Sequence, residues 1–431
     1  MAIWNPVCET LPRAELAQLQ LERLQAAVNR SYKNVAFYHR RFHSLGLDPE
    51  AVQSLDDVAR LPFTTKDDLQ EAYPYAMLGV PLREVVRLHA TTGTAGKPTV
   101  CAYTKSDLRN WTELVARVLV GGGVTKDDVV QVFFHYGLFS GAFGVHYGAE
   151  EVGASVIPAS SGSTERQLTL MQDFRTTALV GNPSYALYMA DVMEQLDIVP
   201  SSLALRVGLF GGEPWSEEMR RQLESRLHLT AYDNYGLSEM IGPGVAFECE
   251  ARCGLHLNED HFLAEIVDPD SETPRAAGEE GELVLTSLTK EALPLLRYRT
   301  RDLTTLLPEP CACGRTTARL ARIARRCDDM IIVRGVSLYP SQVAAVLQSV
   351  EGTGARYQIV VDRPGALDEI EVAVELAPGV AADSAAALLS LQQELAKRLH
   401  AALNLTPKVR LVEPRSLEQQ EGGRVIDRRA F

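Results

Sequence analysis

No run in this 431-residue chain approaches the ~18 consecutive apolar residues of a membrane span, so none is expected. Basic residues are in deficit, 43 Lys and Arg against 56 Asp and Glu, and the formal net charge is −13. A net anionic surface argues against general binding to nucleic acid or anionic membranes, although local basic pockets stay open. The start, Met1-Ala-Ile-Trp-Asn-Pro6, has neither a basic head nor an apolar run, so no secretion signal is read there. Seven cysteines, an odd number in a long chain, do not make a secreted disulfide framework. These deficits make the cytoplasm the expected compartment. Internal repeats and low-complexity segments are missing too, and no lysine follows Lys408.

What is present suffices for a large interior. Hydrophobic residues make up 46% of the chain, and its length exceeds one small core. Near the start a helix is expected over 16–29. Thr65 is a candidate helix cap, with Asp67 and Asp68 in the first turn near the positive end of the dipole. Helix-period segments at 107–120, 142–151, 165–175, 184–196 and 216–227 alternate with apolar runs at 129–134, 154–157, 177–180, 205–210 and 230–234. That alternation implies α/β layers around a parallel sheet, whose strand-end loops are where ligands bind. From Phe262 long helices disappear, and 262–267, 281–286 and 302–307 read as strands of an antiparallel subdomain. Beyond about Asp328 the pattern is strand, helix, two strands, a long alanine-rich helix (382–402) and a strand (408–412), a small α+β domain.

Between expected strands at 85–89 and 99–104 lies Thr91-Thr92-Gly93-Thr94-Ala95-Gly96-Lys97-Pro98. Its glycines let backbone N–H groups approach a ligand, its threonines add donors and Lys97 adds positive charge. Together they suit polyphosphate, although the spacing is not that of a Walker loop, which has four residues before Gly-Lys and a helix directly after. The plainer alternative is a surface hairpin. Gly211-Gly212-Glu213 follows one expected strand, Tyr235-Gly236-Leu237-Ser238-Glu239 follows another after Asn234, and Arg299-Thr300-Arg301-Asp302 sits at a strand entry. Each alone reads as ordinary turn chemistry.

In this order, and with Tyr136-Gly-Leu-Phe-Ser140, His146 to Glu150, Glu259-Asp-His-Phe262, Arg334 to Pro340 and Arg424-Val-Ile-Asp427, the chain resembles the adenylate-forming superfamily. More closely it resembles the phenylacetate–CoA ligase family, over nearly its whole length. The resemblance implies a large N-terminal AMP-binding and acyl-substrate domain, 1–327, built of α/β layers plus an antiparallel subdomain. It also implies a small mobile α+β lid, 328–431, with Asp328 as the hinge.

The implied activity is that of an ATP-dependent, AMP-forming aryl-carboxylate–CoA ligase. A carboxylate attacks the α-phosphate of ATP and pyrophosphate leaves; a thiol then attacks the mixed anhydride and AMP leaves. By resemblance, Thr91, Thr92, Gly93, Thr94, Gly96 and Lys97 hold the β,γ-phosphates. Glu239 binds Mg²⁺, a hard cation that takes oxygen ligands. Ser238 contacts the α-phosphate, Asp302 accepts the ribose hydroxyls and Tyr235 stacks on adenine. Gly211 and Gly212 let the backbone lie against the base, with Glu213, Asn234, Gly236 and Arg326 completing the nucleotide set. His135, Tyr136, Phe139, Gly141 and Ala142 line the aryl pocket, where aromatic walls and small residues suit a flat ring. The plainer alternative for each is core packing. Phenylacetate, benzoate-like acids and anthranilate are the candidate acids. CoA is the expected thiol, with a carrier-protein phosphopantetheine as the alternative, and a homodimer stays open.

Cys311-Ala-Cys313 forms a knuckle-like pair, with Cys249, Cys253 and His256 upstream. Structural zinc takes four Cys or His ligands. Cys249, Cys311 and Cys313 are the first three candidates. His256 is preferred to Cys253 as the fourth, because a Gly-Leu-His stretch of the family is matched by Gly254-Leu255-His256. Unliganded thiols are the alternative, and Cys8, Cys101 and Cys327 have no partner pattern. One departure from the family stands out. Its terminal Gly-Lys-Ala type loop carries a lysine that reaches the substrate carboxylate and α-phosphate during adenylation. Here the matching segment is Glu418-Gln-Gln-Glu-Gly-Gly-Arg424. Arg424 is the one basic replacement on offer; without a replacement the chain would adenylate weakly or act as an adenylate or acyl-CoA sensor.

Overall fold

Residues 2–91, 98–307, 309–323, 325–377, 385–414, 416–417 and 425–429 are described by a computed structural model. Two units divide the chain, Met1–Thr91 with Pro98–Cys327, and Asp328–Phe431.

The first unit opens with helix Arg13–Asn34, which buries Leu16, Leu24, Ala27 and Val28. Helix Ala36–Leu45 follows and ends at Gly46, whose φ of 62° closes a left-handed cap. The short helix Lys66–Glu71 is firmly started. Thr65 Oγ1 accepts from the Asp68 N–H at 3.2 Å, and the Asp68 carboxylate accepts from the Thr65 N–H at 2.8 Å. That reciprocal pair fixes Lys66 at the first helical position. Strands β1 (Arg87–Thr91) and β2 (Thr99–Tyr103) then pair as an antiparallel hairpin.

One sheet of twelve strands, counted among the described residues, organises the rest of this unit. β3 (Val129–Val132), β4 (Ser155–Ile157), β5 (Ala178–Gly181), β6 (Val207–Gly211) and β7 (Thr230–Leu237) run parallel, in the order β4-β3-β5-β6-β7. Helices Gly141–Val152, Thr164–Asp173, Pro183–Gln195 and Glu217–Leu227 connect them. Helix Lys105–Gly121 lies against Gly141–Val152, and a Cβ at Gly148 would meet Val115 at 2.6 Å. Only glycine permits that approach.

The chain then reverses. β8 (Gly242–Glu248) pairs antiparallel with β7, and β9 (Leu255–Leu257) pairs with β8. β10 (Phe262–Val267), β11 (Glu280–Ser287), β12 (Tyr298–Leu307) and β13 (Arg319–Leu320) complete the order β10-β11-β12-β13-β9-β8-β7, and β14 (Arg325–Arg326) pairs with β12. The antiparallel strands expected from Phe262 are present as β10, β11 and β12. They extend the parallel sheet, and the reversal comes earlier, between β7 and β8. β8 is hidden in the sequence because Gly242-Pro243-Gly244 reads as a turn. Here Gly242 and Gly244 take φ of 107° and 110°, and a Cβ on Gly242 would meet Trp111 at 2.7 Å. Two motifs also move from loops into strands. Tyr235 and Gly236 lie within β7, and Arg299 to Asp302 lie within β12.

In the second unit β15 (Ile331–Val333) and β16 (Val336–Leu338) form a hairpin. β17 (Thr353–Asp362), β18 (Glu369–Leu376), β19 (Lys408–Val412) and β20 (Val425–Asp427) form a sheet in the order β19-β18-β17-β20. Helices Pro340–Gln348 and Ala385–Leu403 share its core, built from Val343, Ile359, Val372, Val374, Leu395 and Leu399. The three-residue strands β16 and β20 are too short to be legible as periodicity.

Candidate active site

Ser238 and Glu239 occupy the turn between β7 and β8, and both are buried. The turn is held from several elements. Ser140 Oγ and Ser238 Oγ lie 2.6 Å apart. Tyr103 donates its hydroxyl to the Ile241 carbonyl at 3.0 Å. Lys290 Nζ donates to the Glu239 carbonyl at 2.9 Å and sits 4.7 Å from the Tyr103 ring centre. Burial pushes the Lys290 pKa down, opposed by Cys101, Asp107 and Glu239. The Glu239 carboxylate faces two other groups. Thr91 Oγ1 donates to Oε1 at 3.2 Å, and Lys66 Nζ lies 3.6 Å from the same oxygen. The buried carboxylate is a hard oxygen donor of the kind a divalent cation takes, while the Thr91 hydroxyl and the Lys66 ammonium are donors suited to phosphate oxygens.

Neither Lys66 nor Lys290 stands out in the sequence as a site residue. Lys66 carries one usable signal, its place as the first residue of a strongly capped helix. Lys290 sits in the β11–β12 connection, where no pattern marks it.

Tyr235 donates its hydroxyl to Asp302 Oδ2 at 2.6 Å, and Arg326 forms an ion pair with Oδ1. The register of β12 with β14 puts Asp302 opposite Arg326. Burial, then the adjoining Asp302 charge, raises the Tyr235 pKa well above its ordinary value, so Tyr235 stays a phenol donor. A Cβ on Gly211 would meet the Asn234 carbonyl at 2.4 Å, and one on Gly236 would meet the Gly242 carbonyl at 2.0 Å. These glycines answer to close backbone packing. Gly212 takes φ of 78°. Asn234 Nδ2 donates to the Phe210 carbonyl at 2.8 Å, and Glu213 Oε1 accepts from the Ser184 N–H at 2.8 Å. Both side chains brace the ends of the parallel strands.

Tyr136, Phe139, Gly141 and Ala142 gather around the start of helix Gly141–Val152, whose N-cap Ser140 touches Ser238. Tyr136 packs edge-on to Phe143 at 5.3 Å, and its hydroxyl is 3.2 Å from His146 Nδ1. Phe139 is 39% exposed while Ala142 is fully buried, so one wall is accessible and the other is packed. A Cβ on Gly141 would meet the Phe139 ring at 2.5 Å. His135 is exposed, with Nδ1 3.0 Å from Ser161 Oγ. Thr92, Gly93, Thr94, Gly96, Lys97 and Arg424 lie outside the described residues.

A second cluster is buried at β9 and β13. Cys249, His256, Cys311 and Cys313 bring their donor atoms within 4.8 Å of one another. Cys249 Sγ lies 3.7 Å from Cys311 Sγ, and Cys313 Sγ lies 3.3 Å from His256 Nε2. His256 Nδ1 is 3.1 Å from Thr317 Oγ1, which fixes the ring. Bonds from Cys249, His256 and the Arg315 N–H outweigh desolvation and lower the Cys313 pKa, favouring thiolate. Cys253 is exposed, and Arg319 donates to its sulfur at 2.9 Å. The donor set suits tetrahedral zinc.

Glu259-Asp260-His261 serves the scaffold. Glu259 pairs with Arg13 and accepts from the Ala318 N–H at 2.6 Å. Asp260 accepts two bonds from buried Arg117, at 2.7 and 3.0 Å. Together they anchor helices Arg13–Asn34 and Lys105–Gly121 to the sheet.

Fold and site together define a nucleotide-dependent enzyme of the adenylate-forming class, and residues 17–289 match the AMP-binding enzyme family. Residues 335–429 match the AMP-binding enzyme C-terminal domain. Phenylacetate-coenzyme A ligase of Thermus thermophilus is 44% identical over 443 residues, covering 99% of this chain and 100% of that one. Phenylacetate-coenzyme A ligase of Escherichia coli is 44% identical over 425 residues, covering 98% and 97%. A crystal structure of 2-hydroxyisobutyryl-CoA ligase in complex with 2-HIB-AMP and CoA matches with a TM-score of 0.93 at 32% identity, covering 98% of this chain and 91% of that one. The chain belongs to the phenylacetate–CoA ligase family. It is an AMP-forming acid–CoA ligase that uses ATP and CoA and acts through an acyl-adenylate and a thioester. Among the described residues, no helix is long and apolar enough to cross a membrane.

Proposed function

We propose that the acid activated is phenylacetate. One observation carries this reading: the aromatic and small side chains of Tyr136, Phe139, Gly141 and Ala142 meet beside Ser238 at the helix start. The phenylacetate–CoA ligases among its relatives support it.

In this reading Glu239 and Thr91 hold Mg²⁺ and phosphate oxygens, and Asp302, oriented by Tyr235 and Arg326, takes the ribose hydroxyls. Bound Mg²⁺ would neutralise charge on the leaving pyrophosphate. Lys66, rather than Arg424, supplies the ammonium of the lysine that the terminal loop lacks. Its ammonium sits beside the Glu239 carboxylate, where charge develops as the acid attacks the α-phosphate. The Cys249–His256–Cys311–Cys313 cluster holds a structural zinc, with no open position for chemistry. Asp328, first residue of the second unit, is the hinge of a mobile lid.

Phenylacetate-dependent ATP–pyrophosphate exchange, followed by phenylacetyl-CoA formation, tests the substrate. Exchange that is faster with anthranilate or benzoate than with phenylacetate would overturn this choice.

A further inference from the structure

Four donors complete the proposed zinc set of the cysteine cluster, and a fifth is left over. Cys253 Sγ lies 3.6 Å from Cys311 Sγ, as near as Cys249 Sγ at 3.7 Å. Yet Cys249, His256, Cys311 and Cys313 already make a closed tetrahedral set. Access separates the fifth from the rest. Those four are buried, whereas Cys253 is the exposed one among the seven cysteines. The cluster therefore carries one sulfur on its outer face, in contact with a sulfur inside.

The backbone builds that contact. Cys253 stands between two left-handed residues, Arg252 at φ 49° and Gly254 at φ 109°. A residue with a side chain rarely takes such a φ. The Arg252 N–H donates to the Cys249 carbonyl at 2.9 Å, closing the turn that brings Cys253 back over the cluster. Arg319 of β13 then grips Cys253 twice. Its guanidinium donates to the Cys253 carbonyl and, at 2.9 Å, to the sulfur. β13 pairs with β9, which begins two residues after Cys253, so both partners are fixed to one sheet.

An exposed thiol in contact with a second thiol is the arrangement of a redox pair. The outer sulfur meets an oxidant and the inner one resolves it. Here the inner partner is also a candidate metal ligand. A coordinating thiol is deprotonated, and thiolate is the nucleophilic form. The bond that closes the pair is thus the one that opens the metal site.

We infer that Cys253 is an oxidation site that controls the zinc cluster, with a hydroperoxide as its oxidant. The Cys253 sulfur attacks the peroxide, the O–O bond breaks, and Cys253 becomes a sulfenic acid while an alcohol, or water from hydrogen peroxide, departs. The Cys311 thiolate then attacks the sulfenic sulfur. An S–S bond forms, the S–O bond breaks, and hydroxide leaves and takes a proton to become water. Together the two sulfurs give up the two electrons that reduce the peroxide. Cys311 thereby leaves the metal set, and Cys249, His256 and Cys313 remain. The loosened knuckle also carries Arg315, whose ion pair with Glu9 is buried on both sides, and Thr316, whose N–H donates to the Glu9 carbonyl at 3.1 Å. Oxidation releases metal and slackens the N-terminal segment together. This switch rests on the zinc reading of the cluster.

The test treats full-length, zinc-loaded wild type and Cys253→Ser with hydrogen peroxide. A chromophoric chelator follows zinc release, and mass spectrometry of non-reduced peptides maps the disulfide. Before treatment both proteins should hold about one zinc per chain. Release should be about tenfold slower in Cys253→Ser, because the accessible thiol is the one that reacts first. In wild type the disulfide should join Cys253 to Cys311, and the thermal midpoint should fall as it forms. Dithiothreitol with added zinc should reverse all of these changes. Equal release rates in the two proteins would overturn the switch, and so would a disulfide joining Cys249 to Cys311. Zinc missing from untreated Cys253→Ser alone would overturn it too, since Cys253 would then be a ligand. Failure of the zinc reading looks different: untreated wild type would itself contain no metal, and the switch would fall with that reading.

Discussion

Two lysines converge on one glutamate, and their contacts separate their roles. Lys290 is buried and donates to the Glu239 carbonyl, so it shapes the turn; Lys66 faces the carboxylate oxygen at 3.6 Å. Lys66→Met should lower phenylacetate-dependent pyrophosphate exchange by about 10²-fold, the scale of one lost transition-state contact. Thioester formation from preformed aryl-adenylate should fall far less; equal losses in the two assays would remove Lys66 from the chemistry. Lys290→Met should instead cost about 1–3 kcal/mol of stability, because it strands a buried carbonyl. Urea unfolding measures that cost, and an unchanged midpoint would count against it. At this scale the sequence shows Glu239, Asp302 and Tyr235 through their motifs. It hides Lys290, which lies in no recognisable spacing, and marks Lys66 only as the first residue of a capped helix, because the contacts of both join distant positions.

Short strands carry much of the architecture. β9 and β13, of three and two residues, put His256 opposite Arg319 and close the cysteine cluster. Protein purified without chelators should contain about one zinc per chain. Cys311→Ser should lower metal content and thermal stability together, since metal binding and folding are linked. A metal-free yet equally stable wild type would refute this. The two cysteine segments are legible from local spacing, and the family's Gly-Leu-His match at Gly254-Leu255-His256 points to the histidine whose nitrogen the structure groups with the three sulfurs. The strands between them are not legible, because two or three residues show no period. The Arg117–Asp260 pair gives the scaffold a pH signature. Burial favours the neutral acid, but bonds from His261 and Arg117 outweigh it and hold the Asp260 pKa far below the usual range. The unfolded chain then binds the proton that the native state refuses. Stability is fully present above about pH 4 and falls as pH drops below it. Asp260→Asn should flatten that fall in urea titrations between acid and neutral pH; an unaltered slope would assign the effect to other carboxylates.

For the whole molecule, the parallel half of the sheet is readable because helices and strands alternate at lengths that periodicity resolves. The antiparallel half is less so: glycines and a proline in β8 imitate a turn, while Gly242 serves close packing against Trp111 and Gly244 against Leu114. The division at Cys327 and Asp328 follows the change in pattern. Asp328→Pro would fix φ at the proposed hinge. It should slow overall turnover several-fold while leaving ATP affinity within about twofold, a split expected of gating residues. Equal small changes in both would discard the hinge. Lys66 has a further consequence, in the currency of mutational tolerance. If Lys66 has the proposed role, its cation arrives with folding itself, and positions 418–424 should carry no charge requirement for the first half-reaction. A saturation library of that segment should return active variants at high frequency and with varied lengths. A matching library at position 66 should return lysine almost alone.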